Sequence, residues 1–212
     1  KNKEIFMKPK LAKFNICTGC GVCVASCTRK AIKMVYDHNG FLMPLIDENL
    51  CVSRKACERI CPALNGEKIN YGNPQNIKFY TAWSKDDDVC KKSSSGGIAS
   101  QIALDFLRKG NSAVYGAHLT DYNTVHHIRI TNEKELSLIQ GTYYIQSDAS
   151  SIYSLVKNDL KAGLNVFFCG TPCQVSALYL FLNSISINNL FTAELICHGV
   201  ASDAFFHEYI GW

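Results

Sequence analysis

Four cysteines, spaced Cys17-Thr-Gly-Cys20-Gly-Val-Cys23-Val-Ala-Ser-Cys27, are the residues most able to do chemistry. Thiolates are the ligands of iron–sulfur cubes, and a C-x2-C-x2-C-x3-C run sets three of them around one cube and sends the fourth elsewhere. Thirty-four residues on, the same positions read Cys51, Arg54, Cys57 and Cys61, followed by Pro62. The stretch is therefore an internal duplication in which one ligand position has become arginine. Seven of the chain's eleven cysteines lie in it.

In a two-cluster arrangement the last cysteine of each run ligates the other run's cluster. Cluster one then takes Cys17, Cys20, Cys23 and Cys61, a complete 4Fe-4S set. Cluster two takes Cys27, Cys51 and Cys57, and its fourth iron meets Arg54, which stays cationic and has no lone pair to give. Three outcomes stay open there: a 3Fe-4S centre, a 4Fe-4S centre whose odd iron takes water or another side chain, or an empty site. Cys90 lies in Asp86-Asp-Asp-Val-Cys90-Lys-Lys, which reads as a solvated stretch rather than a source of the missing ligand. Structural zinc is satisfied by pairs of C-x2-C and has no use for a three-cysteine run closed by a distant Cys-Pro. Disulfides need an oxidising compartment and usually an even count.

These ligands must be held by local structure. Ala31–Tyr36 and Phe41–Leu45 flank Asp37-His-Asn-Gly40, whose Asn-Gly pair supplies the positive φ of a tight hairpin. The amino-terminal unit is thus a hairpin with cluster loops around it. The length of 212 residues suits one or two domains, and 47% hydrophobic residues is an ordinary composition. A net charge of +4 is too small to argue for nucleic acid. Part of it lies in a solvated lead-in (Lys1, Lys3, Lys8, Lys10, Lys13). No apolar run suggests a signal peptide or reaches the ~20 residues of a membrane span, so a cytoplasmic protein is expected. Many cysteines without an export signal fit a reducing compartment.

The expected organisation is a two-cluster ferredoxin-like domain over 1–66, a turn-rich linker over 67–76, and a second domain over 77–212. In the second domain, strands are predicted at Ile77–Trp83, Leu164–Cys169 and Leu190–Ile196, and a hairpin pairs Ser112–His118 with Thr124–Ile130. Helices are predicted from Ile98 to Lys109, over 133–140, over 148–161 with Asp148 as N-cap and Gly163 as stop, from Val175, and from about Asp203. The fold class is α+β: the cluster unit, then an α/β domain with a mixed, partly parallel sheet that is expected to lack its carboxyl-terminal half.

Three loops of this domain fall at strand ends and helix starts, where α/β sheets place ligands. Ser93-Ser94-Ser95-Gly96-Gly97 offers hydroxyls and unhindered N–H groups at a helix start, suited to a flavin phosphate or a dinucleotide pyrophosphate, though its composition also fits a flexible linker with an N-cap. Gly170-Thr171-Pro172-Cys173-Gln174 puts a thiol near a helix N-terminus, where the dipole favours thiolate. Packing is the commoner fate of a free cysteine, Cys169 included. The third loop is Cys197-His198-Gly199-Val200, and the two cysteine turns could lie side by side at one sheet edge. No acid or base is assigned. His198, His126 and His127 are candidate proton donors, set against the commoner structural role of a lone histidine.

The order of the Cys17–Cys23 run, Gly40-Phe41-Leu-Met-Pro44, Cys61-Pro62, Ser94-Ser95-Gly96-Gly97, Gly141-Thr-Tyr-Tyr-Ile-Gln-Ser-Asp148, Gly170-Thr-Pro-Cys-Gln174 and Cys197-His-Gly-Val200 resembles the coenzyme F420 hydrogenase/dehydrogenase beta subunit family, which includes plant hydroxymethyl chlorophyll a reductase. The resemblance runs from about Ile16 to Trp212. It implies a flavoprotein that binds FAD and passes electrons between iron–sulfur clusters and a substrate. It also implies that Cys173 and Cys197 help hold a further cluster, with remaining ligands from a carboxyl-terminal half. Two departures stand out: Arg54 replaces a usual cysteine, and the sequence stops before that second pair of ligands.

The expected function is thus an iron–sulfur flavoprotein oxidoreductase, or its amino-terminal portion. FAD would sit against Ser94, Ser95, Gly96, Gly97, Gly170, Thr171 and Pro172. Expected partners are a redox protein or a small-molecule electron acceptor, with a carboxyl-terminal half or a second copy completing the assembly; nucleic acid is not expected. A ferredoxin-type carrier without flavin and a truncated, non-catalytic relic are the alternatives. The C-x3-C-x2-C spacing of radical S-adenosylmethionine chemistry fails at Leu64 and at Ser176.

Overall fold

A computed structural model describes residues 9–69, 74–121 and 123–211. Lys1, Lys3 and Lys8 of the charged lead-in, and residues 70–73 of the expected linker, lie outside the described residues.

The cluster segment is built on the predicted hairpin. Strand β1 (Ile32–Tyr36) pairs antiparallel with β2 (Leu42–Ile46), from Ile32 opposite Ile46 to Tyr36 opposite Leu42. Gly40 takes φ +78°, and the Asp37 carboxylate accepts from the Asn39 and Phe41 N–H groups at 2.9 and 2.8 Å. Short helices α1 (Val22–Ser26) and α2 (Ala56–Arg59) lie within the two cysteine runs and carry Cys23 and Cys57, and α3 (Pro62–Asn65) follows the second run. Pro62 at the first turn of α3 gives up an N–H that has no helical partner there.

In the larger part, α4 (Asp87–Lys92) and α5 (Ile98–Lys109) precede the hairpin of β3 (Ser112–Leu119) and β4 (Val125–Ile130). A 3-10 helix (Glu133–Ile139), β5 (Ser147–Asp148), α6 (Ile152–Lys161), β6 (Asn165–Gly170), α7 (Pro172–Leu182), β7 (Leu190–Glu194) and α8 (Asp203–Ile210) follow. The sheet order is β5-β4-β3-β6-β7, with β3/β4 antiparallel and the other three pairs parallel. The fold is α+β with a mixed, partly parallel sheet, as expected.

Both faces of the sheet are covered, and the two-residue period of a strand divides the core accordingly. Ala113, Tyr115, Val166 and Phe168 point to a core shared with Tyr153, Val156, Val175 and Leu178 of α6 and α7. Val114 and Phe167 point to the other face, against Leu104 and Leu107 of α5 and Leu136. Val22 of α1 is 1% exposed and belongs to the first of these cores, so the cluster segment packs directly on the larger part. The Tyr153 hydroxyl donates to the Cys20 carbonyl at 2.7 Å. The buried Gln146 amide accepts from the Leu42 N–H at 2.7 Å and donates to the Leu42 carbonyl at 3.1 Å, satisfying the edge of β2 as a neighbouring strand would.

Four expectations are corrected. Ile77–Trp83 has the residue types of a strand but finds no ladder among the described residues; it is irregular and exposed, Phe79 at 92%. Asp148 does not cap α6: Ser147 and Asp148 are drawn into the sheet beside Val125 and His126, so the helix starts only at Ile152, after a turn held by Ser150 N–H to the Asp148 carboxylate at 2.8 Å. The segment over 133–140 is 3-10 rather than α, opened by an Asn132/Glu135 capping box and pressed by Ile139 onto Gly116, where a Cβ would stand 3.1 Å from it. Asp86–Lys92, read as a solvated stretch, is a helical turn capped by Asp86 with Val89 buried.

Candidate functional site

All eleven cysteines are free thiols, which removes the disulfide alternative. Cys17 and Cys23 interact electrostatically with each other and with Cys61, and Cys20 interacts with Cys23 and Cys61, so the four sulfurs assigned to cluster one are neighbours. Cys57 interacts with Cys27 and Cys51, the three assigned to cluster two. The chain separation bridged here is large, from residue 17 to residue 61 and from 27 to 57. Cys90 lies apart, donating to the Ser84 and Gly96 carbonyls at 3.3 and 3.7 Å.

The donor chemistry fits an iron–sulfur cluster. Burial pushes the thiols of Cys17, Cys20 and Cys57 up, and that of Cys23 up to about 12, with neighbouring cysteines adding to the rise. Sulfurs packed in this way hold negative charge only against a cation, and binding one releases their protons. Among the described residues no three His, Cys, Asp or Glu side chains close on a single metal ion. Thiolates sharing one zinc at ~2.3 Å would stand under about 4 Å apart. In a cube each binds a different iron and the sulfurs stand farther apart.

Beside the first set opens a cavity of about 670 Å³, within the usual size of a cofactor site. Its wall includes Cys17 and Cys20 on one side, Ser93–Ser95 and the start of α5 on another, and Gly170–Gln174 with Cys197 at the carboxyl ends of β6 and β7. Three loops separated in sequence thus meet at one place, where parallel strands end and helices begin. Among the described residues, no Asp, Glu, Lys or Arg lines the cavity.

Gly97, with φ +74°, precedes α5 and provides no side-chain cap. The first-turn N–H groups at Ile98, Ala99 and Ser100 are left without helical acceptors on the cavity wall. The Ser93 hydroxyl is taken up by the Val89 carbonyl at 2.7 Å and the Ser100 hydroxyl at 3.1 Å, whereas those of Ser94 and Ser95 bond no other described residue. Of the residues expected to bind flavin, Ser94, Ser95, Gly97, Gly170, Thr171 and Pro172 line the cavity. Gly96 does not; its carbonyl accepts the Ser84 N–H at 2.7 Å, and a Cβ there would meet the Ala82 carbonyl at 2.9 Å. Cys173 and Cys197 both line the cavity. The Cys173 sulfur also interacts with Cys17 and Cys20, which places it on the cluster-one side.

Among the candidate proton donors only His127 reaches the cavity, since His126 and His198 are not in its wall. His127 is stacked on Phe168 and wholly buried, and desolvation lowers its pKa from 6.5 to about 4. Its Nε2 lies 3.1 Å from the Cys169 carbonyl and must donate to it, so Nδ1 accepts from the Ser147 hydroxyl at 2.7 Å. Both nitrogens are occupied and the ring is neutral, so it braces β4 against β5 and β6. Its folded pKa lies below the unfolded value, so this stability is complete above pH ~6.5 and falls as pH drops towards about 4, by roughly 3 kcal/mol in all. Denaturant unfolding between pH 7 and 4.5 is expected to show that slope, and His127→Gln to flatten it.

Sequence reasoning missed Gln146, Ser147 and Tyr143 as wall residues. Their only signal was membership of the Gly141–Asp148 motif, because a short segment with one two-residue strand shows no periodicity.

Comparison with known proteins adds three findings. Residues 16–65 match the family model of the 4Fe-4S dicluster domain. Residues 79–154 match that of the coenzyme F420 hydrogenase/dehydrogenase beta subunit, N-terminal domain. A similar solved structure is a chain of the F420-reducing NiFe hydrogenase complex from Methanosarcina barkeri, 24% identical, with a TM-score of 0.52 over 65% of this chain and 51% of that one. The chain therefore spans about half the length of that relative, and the likeness is one of fold. No curated protein matches.

Proposed function

The chain belongs to the coenzyme F420 hydrogenase/dehydrogenase beta subunit family, with a 4Fe-4S dicluster domain at its amino end, and on that premise we propose that it relays electrons between iron–sulfur clusters and a substrate through FAD. The iron–sulfur part rests on the dicluster match over residues 16–65; the flavin is our reading of the cavity. Cys17, Cys20, Cys23 and Cys61 would hold the complete cluster, and Cys27, Cys51 and Cys57 the second. Residues 1–66 would form the cluster unit, 67–76 its connection, and 77–212 the part that takes the flavin.

One observation carries this reading: Cys17 and Cys20 are in the wall of the same cavity as the start of α5 and the Gly170–Cys173 turn. A flavin there would supply the exchange between one-electron carriers and a two-electron substrate. The chain's part is placement. The first-turn N–H groups of α5 and the Ser94 and Ser95 hydroxyls suit a diphosphate by hydrogen bonds and dipole, without a basic side chain. Phe167, Leu136, Ile139 and Val125 give the apolar wall that a flat ring system needs, and among the described residues no carboxylate opposes the phosphates. Thr171 donates to the Gln174 side chain from both its N–H and its hydroxyl, at 3.0 and 3.1 Å, which fixes the turn that presents Cys173. Cys173 and Cys197 would serve a further cluster only with ligands supplied from outside this stretch.

Denaturing the anaerobically purified protein is expected to release FAD in stoichiometric amount. Ser95→Asp, which puts a carboxylate into an uncharged cavity, is expected to weaken its retention at least about tenfold while leaving iron content unchanged. Iron without flavin, in the wild-type protein and after incubation with FAD, would favour the ferredoxin-type carrier instead.

A further inference from the structure

The second cysteine loop is wound like the first, although its residues oppose that conformation. At the thirty-four-residue offset Gly19 corresponds to Ser53 and Gly21 to Lys55, on either side of Cys20 and Arg54. Gly19 and Gly21 have φ +63° and +76°, while Ser53 and Lys55 have φ +53° and +55°. Glycine enters the left-handed region freely, but side chains with a Cβ are held there only by their surroundings. Gly21 and Lys55 each immediately precede a short helix, α1 and α2, and neither helix has a side-chain cap. Nor do the Ser53 hydroxyl and Lys55 ammonium bond any other described residue in compensation.

What the strained loop brings together is sulfur. Cys57 is 6% exposed and interacts with Cys27 and Cys51. The fourth position is Arg54, whose carbonyl is fixed by the Arg59 guanidinium at 2.9 Å and whose own guanidinium cannot bind iron. The remaining thiol outside the two sets and the cavity, Cys90, is committed to carbonyls elsewhere. A loop wound around nothing would let Ser53 and Lys55 relax, and the fourth iron of a full cube would meet no protein ligand at Arg54 and would depend on water or another side chain.

We propose that Cys27, Cys51 and Cys57 hold a three-iron, four-sulfide cluster, with no iron at the corner beside Arg54. The three thiolates bind one iron each, and the guanidinium sets a positive charge beside the anionic cluster. This extends the dicluster reading and rests on it for the first cluster, but does not depend on the flavin.

The test uses the whole chain, purified and reconstituted anaerobically with iron and sulfide. About seven irons per chain are expected, with a near-isotropic electron paramagnetic resonance in the oxidised state, where oxidised 4Fe-4S cubes are silent. Arg54→Cys is expected to gain about one iron and lose that resonance, and Cys57→Ser to lose the resonance while keeping about four irons. Four irons and no resonance in the wild type would mean an empty site and overturn the proposal. Eight irons without the resonance would mean a cube completed by another donor and would also overturn it. So would a resonance that survives both substitutions, since it would then come from damage to cluster one. Flavin content leaves all these readouts unchanged, so its absence would count against the function proposed above and not against this cluster.

Discussion

Replacing Cys61 by serine is expected to remove about four irons per chain and the visible absorption of the first cluster, leaving the second cluster and the fold in place. The backbone at Cys61 is secured without its sulfur. Its carbonyl accepts the Leu64 N–H and the Asn65 side-chain amide, both at 3.1 Å, and Pro62 starts α3 directly after it. Serine preserves all of this and removes only the thiolate. The site is closed by a residue from the second run, far along the chain from the other three ligands, so incomplete coordination cannot be repaired locally. If Cys61 merely packed, the substitution would leave iron unchanged and lower stability slightly. Iron analysis beside a denaturant midpoint separates the two outcomes.

A second large effect is expected from Gly19→Ala, for steric reasons. Gly19 has φ +63°, and a Cβ there would lie 1.8 Å from the Gln146 side-chain nitrogen and 2.6 Å from the Leu42 carbonyl. Alanine must therefore push out the amide that satisfies both backbone groups of Leu42. Left-handed strain and two unpaired buried groups together cost about 3–5 kcal/mol. The same loop lines the cavity through Cys17, Thr18 and Cys20, so loss of cluster one should accompany the drop in stability. Gly66→Ala is the control, since a Cβ there meets nothing within 4 Å. Denaturant unfolding and iron content, read on both variants, check the prediction.

The cluster segment was the most legible part because its information is covalent. Ligand spacing, the thirty-four-residue duplication and the Asn-Gly turn are local in sequence, and Cys17, Cys20, Cys23 and Cys61 interact with one another in the structure. The central strands were legible for a related reason. Val166 to Phe168 and Ala113 to Tyr115 are buried on both faces and read as continuous apolar runs.

Errors arose where partners far along the chain decide the outcome. Ile77–Trp83 has β propensity but no ladder, and propensity without pairing does not make a strand. Asp148 has the chemistry of an N-cap, but pairing of β5 with β4 claims it first. The strain at Ser53 and Lys55 could not be read at all, since nothing in those residue types suggests positive φ. It becomes visible only beside the two glycines that the duplication aligns with them. Gln146 was hidden for a similar reason: its importance is a contact with Leu42, over a hundred residues away.

The central claim is that four sulfurs from the amino-terminal segment hold one cube of iron against the cavity. Anomalous diffraction at the iron edge, on crystals grown without oxygen, tests it most directly. The account predicts a four-iron peak among the Sγ atoms of Cys17, Cys20, Cys23 and Cys61, with flavin density in the cavity whose wall holds Cys17 and Cys20. A single metal ion there, or iron bound without Cys61, would contradict it.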